Sequence, residues 1–315
     1  MLGKIIKKLL MMIPIILVVS IILFFLLTAL PGDAALANAG EFATDEDIEA
    51  LRKSMGLDRP YYVLYLEWLG NMLHGDFGNS LITGSPIIDK VVQRFPATME
   101  LALFSTLVSI LIALPLGIIA AVKRNSMWDS CASVLSVVGI SMPNFWLSML
   151  LIMLFSLKWK VLPASGYVRF SEAPLESLKL MLMPALAIGA SFAASVMRQT
   201  RNALLEVLDQ DYMMTAKAKG LPGRVMLLKH ALRNALIPVV TVIAMQTGKL
   251  FGGAVVAETI FLIPGLGSEI VNSIMSRDFP VTMAMIMIVA VIIILINTFI
   301  DIVYGFIDPR VGRSK

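Results

Sequence analysis

Gln246 and Lys249 lie inside a long apolar stretch, and among the residues of this chain their types and spacing are the most suggestive of chemistry. Residues three apart share one face of an α-helix, so both side chains would point the same way. A lysine so placed either lines a path for a polar solute or extends along the helix to reach water. Asn144, beside Pro143, marks a local break in its helix or equally caps an exposed carbonyl, and Glu258 could equally anchor a helix end. Our candidates for the lining of such a path are Ser141, Asn144, Gln246, Lys249 and Glu258.

Other kinds of site have little support in the sequence. The ATP-binding P-loop pattern G-x-x-x-x-G-K-[ST] does not occur, and Gly248-Lys249 is followed by leucine. The single cysteine, Cys131, permits no intrachain disulfide, and His74 and His230 are too far apart to suggest a metal cluster. Lys249 has no obvious nucleophile as a catalytic partner. We therefore expect a chain that is not an enzyme and binds no metal or other cofactor itself.

The connection at residues 209–238 is too polar to cross a membrane, yet its sequence predicts two helices. Residues 202–219 contain good helix formers, and Gly220, followed by Leu221-Pro222-Gly223, predicts the end of the first helix. A second helix is predicted over 224–236, running directly into the next apolar stretch. Such a helix–turn–helix could transmit a push from a soluble partner, and a solvated basic loop is the alternative.

The composition requires a membrane around these elements. Of 315 residues, 58% are hydrophobic and 15% are charged, whereas soluble domains have roughly 45–50% and about 25%. A membrane-spanning helix needs about 20 apolar residues. Six segments meet that length and predict an all-α polytopic membrane protein: 9–30, 101–122, 131–157, 180–197, 235–257 and 281–300.

The first apolar segment follows Lys4, Lys7 and Lys8, as the apolar part of a cleaved signal peptide would. Small residues at Ala34, Ala35 and Ala37 offer a possible cleavage site. The segment is about 22 residues long, which suits a span better than a signal peptide. We expect it to be retained as a span.

Basic residues are concentrated in alternate connections, which predicts their orientation. Lysine and arginine gather in the N-terminal tail, at Lys123-Arg124, in residues 198–233 and in the C-terminal tail. Cytoplasmic connections carry this excess, so both termini should be cytoplasmic. Residues 31–96 instead hold ten acidic against five basic residues, as an outer loop would.

This pattern divides the chain into four parts. Residues 1–30 form a tail and first span, 31–97 an outer loop, 98–308 a five-span core, and 309–315 a cytoplasmic tail. The core includes a cytoplasmic segment at 198–235. Within the outer loop, helices are predicted from Thr44 to Gly56 and from Pro60 to Gly75.

Residues 212–234 resemble the "EAA" coupling loop of ABC importers, in the dipeptide/oligopeptide/nickel permease family. The strings that carry the resemblance are Tyr-x-x-Thr-Ala-x-Ala-Lys-Gly at 212–220 and His-Ala-Leu-Arg-Asn at 230–234. Methionine replaces the leading glutamate of the EAA triplet. The residues that the resemblance assigns to coupling are Tyr212, Met214, Thr215, Ala216, Lys217, Ala218, Lys219, Gly220, His230, Arg233 and Asn234.

Further landmarks of that family occur in collinear order along nearly the whole chain. They are Pro31-Gly32-Asp33, Gly56-Leu57-Asp58-Arg59-Pro60, Gly75-Asp76-Phe77-Gly78, Ala121-Val122-Lys123-Arg124, Ser141-Met142-Pro143, Glu258-Thr259-Ile260-Phe261, Pro264-Gly265-Leu266-Gly267 and Asp308-Pro309-Arg310.

The resemblance implies a subunit of a larger machine in a prokaryotic plasma membrane, with a type I importer fold. The expected partners are a second permease subunit, two ATPase subunits that bind ATP and Mg²⁺, and an extracytoplasmic substrate-binding protein. This chain would form half of a translocation path for di- or oligopeptides. Import of nickel or a metal chelate by the same machine is the alternative. A secondary transporter is disfavoured because no acidic residue lies in the middle of any predicted span.

Overall fold

A computed structural model describes residues 2–29, 44–54 and 59–307 of the chain. The landmarks at 31–33, 56–58 and 308–310, the small residues after the first span and the basic C-terminal tail lie outside the described residues. Within the described residues the fold is helical, and no strand occurs apart from one isolated bridge between Asn79 and Pro86.

The helices of the described part of the chain are long where the sequence is apolar and short in the outer loop and in the connection at 209–222. In order they are α1 Leu2–Ala29, α2 Asp45–Ser54, α3 Tyr61–Leu73, α4 Ile87–Val122, α5 Met127–Ser141, α6 Asn144–Lys158, α7 Pro174–Leu208, α8 Asp211–Ala218, α9 Gly223–Ile260, α10 Leu266–Met275 and α11 Phe279–Ile307.

Four of these helices, α4, α7, α9 and α11, are long and apolar enough to cross a membrane, and α5 with α6 would make a fifth span. In α1 the structure describes apolar side chains over Leu10–Leu26, a run at the lower limit for a span. The predicted all-α membrane class is therefore confirmed, and the count of six spans stays a prediction.

The third predicted span, over 131–157, is not one helix. It is divided at Met142 and Pro143, where α5 and α6 meet at 110°. Proline has no backbone N–H and pushes the preceding residue toward extended backbone, and Met142 has a ψ of 124°. The single span is corrected to a bent pair, and of the two alternatives for Asn144 the structure shows the local break.

The predicted helix over 202–219 is also wrong as a single element. α7 ends at Leu208, and α8 begins at Asp211. The intervening Asp209 would be unfavourable within the C-terminal turn of a helix, whereas Asp211 suits an N-terminal turn because the helix dipole is positive there.

In the outer loop α2 falls inside the predicted helix, and α3 begins one residue after Pro60, which is its N-cap. The helix ends as predicted, with His74 as C-cap and Gly75 at a φ of +82°. Positive φ is accessible to glycine at little cost.

The described chain divides into two compact units, and the first comprises Met1–Thr98 and Pro264–Leu295. Its apolar core includes Ile87, Leu266 and Val281, all buried. A buried carboxylate organises its loops: Asp278 accepts hydrogen bonds from the Ser80 hydroxyl and, at 3.1 Å, from the Leu81 backbone N–H. A second carboxylate, Glu269 on α10, pairs with Arg94 at 2.9 Å and Lys90 at 3.4 Å.

The second unit comprises Met99–Ile263 and Ile296–Lys315, and α7 is its central helix. α7 packs against α5, α6 and α9 and buries small residues that include Ala185, Ala187 and Gly189. Small side chains let helix backbones approach closely. The Ser109 hydroxyl of α4 donates to the Gly189 carbonyl at 3.0 Å.

The loop between α6 and α7 is fixed to α4 by Tyr167. Its hydroxyl donates to Glu100 at 3.1 Å. Burial, reinforced by the nearby Glu100 carboxylate, raises the pKa of Tyr167 to about 12. The phenol therefore stays protonated and remains a donor at physiological pH.

Candidate functional site

A polar cavity of about 250 Å³ lies inside the second unit, at the elbow between α5 and α6. It collects polar side chains from three helices. The residues that line it are Ile140, Asn144, Ile188, Ser191, Phe192, Ser195, Gln246, Lys249 and Leu250.

Helix periodicity explains why these residues meet. Ser191 and Ser195 are one turn apart on α7, and Gln246 and Lys249 lie within one turn on α9, so each pair shares a face. Asn144 is the first residue of α6, directly after the break, and the break is what brings it to the cavity. The prediction that Gln246 and Lys249 share one face is confirmed.

The cavity has a polar side and an apolar side. Ile188, Phe192 and Leu250 are almost fully buried and form the apolar side. Asn144 and Gln246 are half-buried, and Lys249 is exposed. The Ser195 hydroxyl donates to the Ser191 carbonyl at 2.9 Å, which leaves its oxygen as an acceptor.

The position of Asn144 is constrained by a glycine on α9. A Cβ atom added at Gly253 would lie 3.1 Å from the Asn144 amide nitrogen and 3.2 Å from Ile188. That spacing is tighter than ordinary van der Waals contact, so the absence of a side chain at Gly253 is what admits the asparagine.

Two of the candidates for the path lie elsewhere. Ser141 is exposed and lines a separate recess beside Trp146. No residue lines both this recess and the polar cavity. Glu258 is fully buried near the end of α9, where its carbonyl accepts from the Ile263 N–H at 2.8 Å. Neither Ser141 nor Glu258 lines the polar cavity.

Ser191 and Ser195 are cavity residues that the sequence analysis missed. Serine is common in membrane helices, where its hydroxyl bonds to the preceding turn, so neither residue stood out. The available signal was their spacing of four on one predicted span, which places both on one face of the helix.

A second feature is the helix–turn–helix at 211–231, made of α8, a turn at Gly220 and the first turns of α9. Gly220 has a φ of +75°, and its N–H donates to the Lys217 backbone carbonyl at 3.0 Å. The Leu221 N–H donates to Ala216 at 3.3 Å. These bonds close the end of α8, so the predicted stop at Gly220 is confirmed.

The second helix of this element starts at once. Pro222 is the N-cap of α9, and its carbonyl accepts from Val225 and Met226 at 2.9 and 3.0 Å. The next residues, Met226–Ala231, are π-helical and include His230. α9 then continues past Pro238 to the level of the cavity, so His230 and Lys249 lie on one helix.

Two contacts hold α8 in place. Met213 is 2% exposed and anchors the helix, and the Asn234 amide donates to the Tyr212 hydroxyl at 2.9 Å. Ala216 and His230 are half-buried. The remaining predicted coupling residues are exposed: Met214, Thr215, Lys217, Ala218, Lys219, Gly220 and Arg233, together with the paired Tyr212 and Asn234.

An ion pair joins α7 to α5 just before the helix–turn–helix at 211–231. It was not identified from the sequence. Asp129 at the start of α5 is 5% exposed and accepts from Arg201 at 2.5 and 2.9 Å. It also accepts from the Asn125 N–H at 3.0 Å. From the sequence, Arg201 is recognisable only as part of the basic excess that predicts orientation.

Comparison with known proteins shows that this chain matches two family models. Residues 113–313 match the model of the binding-protein-dependent transport system inner membrane component, and residues 1–102 match the N-terminal model of such membrane components.

Three relatives illustrate the similarity. A putative peptide transport system permease protein of Brucella abortus (strain 2308) is 38% identical over 99% of both chains. The dipeptide transport system permease protein of Escherichia coli (strain K12) is 37% identical over the full length of both. The dipeptide transport system permease protein of Alkalihalophilus pseudofirmus is 38% identical over 99% of both.

Proposed function

Because this chain belongs to the family of binding-protein-dependent transport system inner membrane components, we propose that it is a permease subunit that imports di- or oligopeptides. The chain is a multi-pass protein of the plasma membrane. The observation that carries the peptide assignment is identity of 37–38% over essentially the full length of permeases named for peptides and dipeptides.

In this proposal the chain has six spans with both termini in the cytoplasm. The five apolar helical segments found among the described residues, with α1 as the sixth, support that count. The second unit holds a polar cavity between membrane helices, which suits a path for a polar solute. A second permease subunit would supply the other half of the path.

Energy would come from outside the chain. Two ATPase subunits would bind ATP and Mg²⁺ and act on the exposed residues of the helix–turn–helix at 211–231. Support comes from α9, which begins directly after the turn and runs to the cavity with Pro238 in its interior. A push at the turn can therefore be transmitted along one helix to Gln246 and Lys249. An extracytoplasmic binding protein would deliver the peptide.

Uptake by the complete transporter tests this function. The permease, its partner permease, the two ATPases and the binding protein are reconstituted in vesicles that contain ATP. We expect accumulation of a labelled dipeptide that requires both ATP and the binding protein. Accumulation of nickel but of no peptide would instead establish the metal-importing alternative, and accumulation of neither would exclude both.

A further inference from the structure

Lys249 is the charged residue among those that line the polar cavity, and no aspartate or glutamate lines it. The Lys249 ammonium makes no ion pair or side-chain hydrogen bond in the part of the chain that the structure describes. An ammonium group within a membrane-spanning helix is costly unless it faces water or an anion. The lysine therefore gives the cavity a net positive charge.

Its neighbours are suited to a carboxylate. The Gln246 and Asn144 amides can donate through nitrogen, and the Ser191 hydroxyl can also donate. α6 begins at Asn144, and the first backbone N–H groups of a helix carry partial positive charge. All of these groups favour an anion, and the lining offers a cation no acidic ligand.

The size of the cavity suits one end of a small peptide. About 250 Å³ admits a carboxylate with an adjoining residue, and Ile188, Phe192 and Leu250 provide an apolar wall for that residue's side chain. A longer peptide would extend beyond the cavity.

On the basis of the proposed function, we propose that this cavity is a subsite for the C-terminal carboxylate of the translocating peptide, with Lys249 as its cationic ligand. Asn144, Ser191 and Gln246 orient the carboxylate through neutral hydrogen bonds. Recognition of a main-chain carboxylate tolerates varied side chains, because every peptide with a free C-terminus carries it.

The test compares a dipeptide with its C-terminal amide, which lacks the negative charge. Uptake of each is measured for the wild-type transporter, Lys249→Met and Lys249→Arg. A charge-assisted hydrogen bond contributes on the order of a tenfold change in affinity. We expect Lys249→Met to reduce the preference for the free carboxylate by roughly tenfold, and Lys249→Arg to retain most of it.

The control is Lys179→Met, which removes an exposed lysine of α7 that does not line the cavity. It should leave the preference unchanged. If Lys249→Met instead lowers uptake of the dipeptide and the amide by the same factor, the lysine serves an acidic group of a partner subunit, and the proposal is wrong. A wild-type transporter that takes up no peptide contradicts the proposed function instead.

A charge-restoration experiment remains informative where the amide is barely transported. Lys249→Cys is made in a Cys131→Ser background, because Cys131 is exposed. Aminoethyl methanethiosulfonate attaches an ammonium group through a disulfide with loss of methanesulfinate, and the sulfonatoethyl reagent attaches an anion. We expect dipeptide uptake to return with the first reagent only. Equal uptake after either reagent would overturn the proposal.

Discussion

Two ion pairs of the second unit differ sharply in burial, so they should differ in their contribution to stability. Asp129 and Arg201 have side chains 7% and 25% exposed, with their closest atoms 2.5 Å apart. Arg124 and Asp209 are 55% and 69% exposed and 3.3 Å apart. Water and salt screen the second pair, whereas an aspartate left alone at the first site would be a buried, uncompensated charge.

We therefore expect Arg201→Met to destabilise the protein by about 3 kcal/mol. Arg124→Met, the matched control, should cost less than about 1 kcal/mol. Thermal denaturation of the purified transporter in detergent measures both. The double variant Asp129→Asn with Arg201→Met should recover part of the loss, because no unpaired charge remains. Equal losses in the two single arginine variants would contradict this account.

At the scale of residues, the sequence could predict the cavity only in part. Gln246 and Lys249 were identifiable because polar residues within an apolar stretch are unusual. Ser191 and Ser195 required the packing of α7 against α9 to be known. Glu258 was a candidate by position alone; it is fully buried and does not line the cavity.

The turn that joins α8 to α9 depends on a backbone conformation that one residue supplies. Gly220 has a φ of +75°, and Lys219 before it has a ψ of 4°. Proline cannot adopt a positive φ, cannot donate the N–H that Gly220 donates to Lys217, and disfavours the helical backbone of the preceding residue.

Gly220→Pro should therefore rearrange the turn and uncouple transport while leaving membrane insertion intact. We expect peptide uptake per ATP hydrolysed to fall by roughly tenfold or more. The control is Gly223→Pro, three residues away. Gly223 is the first residue of α9 and follows Pro222, whose ψ of 141° is compatible with a proline after it. Normal uptake in Gly220→Pro at equal expression would exclude a coupling role for the turn.

A glycine also determines how closely α4 and α7 approach. A Cβ atom at Gly117 would lie 2.7 Å from the Thr200 Cβ and 2.8 Å from the Met197 carbonyl oxygen. The carbonyl belongs to the backbone, so a helix would have to move.

We expect Gly117→Ala to destabilise the protein by about 1–3 kcal/mol, as overpacking of a core does. Gly252→Ala on α9 is the control, since nothing lies within 4 Å of its added Cβ. Midpoints of thermal denaturation compare the two variants in the same detergent. A larger decrease in the denaturation midpoint for Gly252→Ala than for Gly117→Ala would contradict the inference that Gly117 determines how closely α4 and α7 approach.

At the scale of elements, hydropathy located the apolar part of each long helix but not its ends. The segment 180–197 is the apolar middle of α7, which runs from Pro174 to Leu208. Backbone hydrogen bonding continues a helix through polar turns, so hydropathy alone misses them. The breaks at Met142-Pro143 and Asp209-Gln210 depend on single residues. The first was one of two alternatives considered for Asn144, and the second was missed because aspartate is only a weak helix breaker.

The bent pair of α5 and α6 decides the topology of the whole molecule. Two helices that meet at 110° either cross the membrane as a broken span or enter and leave on one side. In the second case the loop between α6 and α7 would be cytoplasmic, and the basic residues that follow α7 would face outward. Lysine and arginine favour the cytoplasmic side, so we infer a broken span.

Accessibility of introduced cysteines tests this topology in whole cells. In a Cys131→Ser background, Ser171→Cys places a thiol on the exposed loop between α6 and α7, and Gln210→Cys places one between α7 and α8. A membrane-impermeant maleimide should label position 171 in intact cells and position 210 only after permeabilisation. Each variant is first shown to react fully once the membrane is opened. The reverse pattern would mean that α5 and α6 form a re-entrant pair, and the helix–turn–helix at 211–231 would then lie on the wrong side of the membrane to meet an ATPase.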